Sequence, residues 1–83
     1  MSFDVAAYLT DGLNAVNWLP VDLWIAVIGL TGRLKLGEVS DILSGERQPS
    51  EREYDLLALA INERFLDLGG DHPMNYWAEL PRV

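Results

Sequence analysis

The side chains in this 83-residue chain with the means for chemistry are one histidine, 13 acidic and 6 basic residues, and the rings of three Trp, three Tyr and two Phe. His72 is alone and precedes Pro73, so no Ser–His–acid arrangement forms around it, and a capping or surface role suits it better than catalysis. Glu63, Asp67 and Asp71 align carboxylates across the end of a helix. A metal site needs ligands converging from more than one segment, so these three read as a solvated acidic face. The chain has no cysteine, which removes thiolate ligands and disulfides together. Gly69-Gly70 follows a helical stretch instead of preceding one and makes no phosphate cradle. The expectation is a protein that is not an enzyme and uses no metal, cofactor or small-molecule substrate.

Cations and aromatics remain as the means of recognition. The cations are Arg33, Lys35, Arg47, Arg52, Arg64 and Arg82, no two adjacent, in a chain of net charge −7. Affinity for DNA comes largely from Lys and Arg neutralising phosphates, so this balance disfavours DNA. Trp and Tyr are over-represented in protein–protein hot spots because they bury much area at low entropy cost. Trp18, Trp24, Tyr76 and Trp77 are the candidates here, and Asp71 and Glu79 flank the last two. An aromatic anchor ringed by acidic groups fits a partner with an apolar pocket and a basic rim.

The elements that must position these groups read as helices. Ser2 is a candidate cap for a first helix with Phe3, Ala6, Ala7, Leu9, Leu13 and Val16 on its apolar face, weakened by Gly12. "NWLP" breaks it, and Pro20 with Asp22 suits the first turn of a second helix. From Leu23 to Leu30 that helix is apolar all round, as in a helix central to the core or partly buried against another chain. Gly32 is its expected stop.

A short helix spans about Leu36 to Ser44 and ends at Gly45. Ser50 and Glu53 form a capping box for a long helix running to about Leu68, with Tyr54, Leu57, Ala58, Ile61, Phe65 and Leu68 as its core stripe. Gly69-Gly70 stops it, and one more short helix follows Pro73. This is one all-α domain over residues 1–83: a compact set of four to five helices, with a core at about 20–68 and an extension at about 70–83. The N-terminus lacks the basic region of a signal peptide, and the most apolar run has about eight residues against the roughly 20 of a membrane span. The expected location is the cytoplasm, with no membrane.

The stretch "VSDILSGERQPSEREYDLLALAIN" carries a resemblance to the Cro/C1-type (XRE-like) helix-turn-helix family, which extends over residues Leu23 to about Phe65. Val39 and Ile42 match the buried positions of the family's third helix, "GERQPS" its turn and "YDLLALAIN" the packing helix that follows. "LWIAVIGLTG" departs from the pattern, being more apolar than a usual positioning helix. The resemblance implies a helix-turn-helix-like fold. It places Lys35, Gly37, Glu38, Ser40 and Asp41 on the reading surface, with Arg47 as the phosphate contact. Of these, only Lys35 and Ser40 are natural readers of bases, and Glu38 and Asp41 would face phosphates.

Two functions follow. The first is an acidic helix-turn-helix-like module, resembling phage or prophage accessory regulators, that binds a partner protein and modulates or inhibits it. The second is a sequence-specific DNA-binding repressor that acts as a dimer. The residues favour the first and the family favours the second. A homodimer is expected in either case, because the apolar second helix exceeds what so small a domain can enclose.

Overall fold

A computed structural model describes residues 3–30, 33–71 and 73–81. Over these residues it is an all-α domain of four helices: α1 (Val5–Ala15), α2 (Pro20–Leu30), α3 (Leu36–Ser44) and α4 (Glu51–Asp67), followed by one 3₁₀ turn at Trp77–Glu79. The short helix expected after Pro73 is that single turn. Chain direction bends by 95° between α1 and α2. Each of these two helices packs against both α3 and α4. Leu9 and Leu13 of α1, Leu23 and Val27 of α2, Val39 and Ile42 of α3, and Tyr54, Leu57, Ala58 and Ile61 of α4 interlock as one core.

Side-chain caps set where the helices start. Asp4, not Ser2, caps α1: its carboxylate accepts the Ala7 N–H at 3.0 Å. Ser2 itself lies outside the described residues, as do the expected stop Gly32 and the lone His72. Pro20 opens α2, and the Asp22 carboxylate accepts the Leu19 N–H at 2.8 Å. The Ser50 hydroxyl accepts the Glu53 N–H at 3.1 Å while the Glu53 carboxylate accepts the Ser50 N–H at 2.9 Å, the reciprocal box expected for α4.

Three helices end by one device. Asn17, Gly45 and Gly69 each take a left-handed conformation, at φ 57°, 85° and 87°. The residue after each donates its N–H five residues back: Trp18 to the Leu13 carbonyl, Glu46 to Asp41 and Gly70 to Phe65. These are Schellman motifs, which satisfy carbonyls the helix leaves over. For α1 the break therefore falls at Asn17, the first residue of the "NWLP" stretch expected to break it.

Three residues expected on apolar faces are placed otherwise. Ala7 is exposed, and Phe3 stands before α1, edge-on to Tyr8 with ring centres 5.3 Å apart. Leu68 is 53% exposed, because the Schellman turn carries it off the core side of α4. Gly12, expected only to weaken α1, makes room for Met74: a Cβ at Gly12 would stand 2.5 Å from the Met74 sulfur.

Candidate functional site

Two regions carry the residues singled out by sequence: the junction of α3 with α4, and the aromatic segment after α4. At the junction, Glu38 and Glu53 each occupy the third position of a helix. Each uses one carboxylate oxygen to accept a cap N–H, from Lys35 at 2.9 Å and from Ser50 at 2.9 Å. The other oxygen of each faces Arg47. Arg47 Nη1 donates to Glu38 Oε2 at 2.6 Å and Nη2 to Glu53 Oε2 at 2.7 Å. One guanidinium thus joins the capped starts of two helices, matching a planar fork of donors to two carboxylates. The Lys35 backbone N–H, and after it the Arg47 guanidinium, hold the Glu38 carboxyl below its ordinary value. The hydrogen bond to Glu38 leads the causes that hold Arg47 more firmly charged.

This changes the account of the reading surface. Arg47, expected to meet phosphate, is paired with carboxylates at both ends of its fork. Lys35, Gly37, Ser40 and Asp41 are exposed on or beside α3, as expected of outward positions. Lys35 is the one cation among them.

The four aromatic candidates do not form one cluster of exposed anchors. All four are half-buried and pack on the core. The Trp18 backbone closes the Schellman turn of α1. Trp24 donates its indole N–H to the Leu34 carbonyl at 2.9 Å and so ties α2 to the start of α3. Trp77 stands edge-on to Tyr54 with ring centres 5.8 Å apart, and its backbone N–H donates to Asp55 at 2.7 Å. Glu79 accepts the Tyr76 N–H at 2.9 Å, so caps the 3₁₀ turn, and is exposed. Asp71 is exposed beyond the end of α4.

Side chains strap the segment carrying Tyr76 and Trp77 to the helices, a feature that sequence reading missed. The Asn62 amide donates to the Met74 carbonyl at 3.0 Å and accepts the Met74 N–H at 2.7 Å. The Tyr54 hydroxyl donates to the Asn75 carbonyl at 2.7 Å, and the Tyr8 hydroxyl accepts the Asn75 N–H at 3.0 Å. Burial pushes the Tyr54 phenol above its ordinary range. Leu80 closes the strap in the core. The one available signal was Asn62, a polar residue amid the apolar positions of α4, which asks for a buried partner.

Between the two regions a shallow groove crosses the first half of α4. Arg33 and Leu34 line one end, Ser50, Arg52 and Leu56 its middle, and Tyr76 the other end. The groove is open, floored by leucine and rimmed by both signs of charge. No set of three acidic or histidine side chains converges to hold a metal among the described residues. No single helix there is long and apolar enough to cross a membrane; α1 and α2 reach that length and apolarity only together, across their 95° bend. No protein-family model, no curated protein and no solved structure matches this chain.

Proposed function

We propose that this domain is a small, acidic, helix-turn-helix-like module that binds a partner protein and modulates its activity. The groove across α4 serves as the contact surface. The pairing of Arg47 with both Glu38 and Glu53 carries this reading, since it takes away the cation best placed to hold a DNA phosphate. A DNA reader of this size gains most of its affinity from such cations. Lys35 and Ser40 remain on the outward side of α3, but a net charge of −7 stands against them.

Tyr76, Leu34 and Leu56 offer a half-apolar floor, and Glu51, Glu53 and Asp55 outnumber Arg33 and Arg52 around it. That surface fits a segment with apolar anchors and basic flanks. Of the aromatic candidates, Tyr76 alone lines the groove.

The test is copurification with the tagged full chain from its native host, followed by binding with Tyr76→Ala and Arg52→Glu. Capture of a protein that both changes weaken, in variants with unchanged helix content, is the expected result. Selection of a nanomolar duplex consensus from random DNA, lost in Lys35→Ala and Arg47→Ala, would replace this reading with the DNA-binding repressor of the family it resembles.

A further inference from the structure

The outer face of α2 takes no part in the groove and needs separate explanation. Leu23 and Val27 turn inward, while Val21, Ile25 and Ile28 form an exposed stripe at helical spacing. Ile25 at its centre is 56% exposed, and Leu19 (66%) and Leu30 (43%) are exposed at the two ends of the helix. Gly29 flanks the stripe with nothing within 4 Å of where its Cβ would stand. A glycine inside a helix costs helix stability, and here it leaves open space through which another backbone can approach.

We infer that this stripe is a two-fold interface at which α2 packs, antiparallel, on α2 of a second copy. Charge argues for this occupant. From Trp18 to Leu30 the only ionisable side chain is Asp22, whose carboxylate accepts the Leu19 N–H at 2.8 Å. Two chains of net charge −7 repel, and this face lets them meet without bringing carboxylates together. A foreign partner drawn by the acidic exterior would carry cations, which find no anion on the stripe.

The pattern also matches itself. Val21 lies four residues before Ile25 and Ile28 three after it, so a two-fold axis close to Ile25 sets Ile25 beside its own copy and brings Val21 over the open space at Gly29, next to Ile28. Isologous contacts require such self-complementarity. The exposed apolar side chains of α2 present on the order of 400 Å², about half of what each partner buries in a standard interface. An interface of that size belongs to weak, reversible dimers. The inference rests on α2 alone and stands or falls independently of the α4 groove.

Sedimentation equilibrium on the full chain tests it. A monomer–dimer equilibrium is expected, tightening as NaCl rises because salt screens repulsion between two anions. A contact held by opposite charges would weaken instead. Ile25→Glu should raise the dissociation constant about 100-fold or more, by placing two carboxylates face to face in an apolar contact, with helix content unchanged. Because the chain lacks cysteine, Ile25→Cys should oxidise to a covalent dimer faster than Glu46→Cys on the exposed turn. A monomer mass at millimolar concentration, with or without binding to neutral lipid vesicles, would overturn the inference. So would a dimer that survives Ile25→Glu, or equal oxidation of the two cysteine variants.

Discussion

The outer face of α2 and the strap at residues 74–80 are opposites in how they are specified. On α2, apolar side chains on a regular helix point to water, and no side-chain hydrogen bond dictates what covers them. The strap has almost no regular structure, yet Tyr8, Tyr54, Asp55 and Asn62 each bond a named backbone group in it. The helix satisfies its own backbone and leaves its side chains to select a partner. The strap cannot satisfy its own backbone, so the helices do that for it. Buried polar groups fix one geometry because leaving them unpaired costs far more than pairing them gains. Apolar surface is permissive by comparison.

Substitutions in the two regions should therefore differ sharply. Asn62→Ala leaves the Met74 N–H and carbonyl without partners at a position only 4% exposed. We expect a loss of about 3 kcal/mol in denaturant unfolding. A loss below about 1 kcal/mol would show that water replaces the amide and that the strap is looser than described. The strap also holds residues 75–80 against the helices. Their deletion removes Leu80 and Trp77 from the core along with the bonds to Tyr8, Tyr54 and Asp55, so the melting temperature should fall steeply.

Tyr54→Phe removes one strap bond and should cost about 1 kcal/mol. Its pH dependence gives a second check. The phenol of Tyr54 is held above its ordinary value of 10.0, mainly by burial. A raised value favours the protonated form in the fold, so this contribution is full below pH 10 and is lost as pH rises further. Alkaline unfolding should therefore be less steep in Tyr54→Phe. Ser50→Ala, which removes a cap away from both regions, should also cost about 1 kcal/mol by thermal or denaturant melts.

On α2, Ile28→Ser should change the stability of the monomer by about 0.5 kcal/mol or less, measured at low micromolar concentration. A cost as large as that of Asn62→Ala would mean that the outer face of α2 is covered within its own chain. At acid pH the effect is smaller still. The depressed Glu38 carboxyl contributes at neutral pH and is lost as pH falls from near 4.5 downward, so Glu38→Gln should flatten the acid limb of the stability curve.

The α3 and α4 boundaries were legible because their signals are local: Ser50 with Glu53 at a start, Gly45 and Gly69 at ends. The start of α1 was misplaced because Ser2 and Asp4 are equally good caps two residues apart. Its end was legible at "NWLP", although Asn17, which makes it, holds a conformation more often left to glycine. For α2, an apolar helix carries no periodic signal, so its buried and exposed sides emerge only once α3 and α4 are in place. The engagement of Arg47 was half visible, since both its partners sit at the third position of a helix, Glu53 in a box recognised from sequence. The strap was not visible. Tyr8 and Asn75 are 67 residues apart, and no local pattern announces that pairing.

That separation has a consequence for how the protein is made. A chain synthesised from its N-terminus has all four helices before it has Met74 to Leu80. Until those residues emerge, Asn62 and the hydroxyl of Tyr54 lack their backbone partners and the floor beneath Trp77 is open. The nascent domain is then a set of helices that have found their neighbours but not their final packing, the kind of intermediate that chaperones hold and proteases sample. The stretch translated after the four helices is the one that closes the domain. A chain that stopped before Met74 would be exposed to degradation from the moment it left the ribosome.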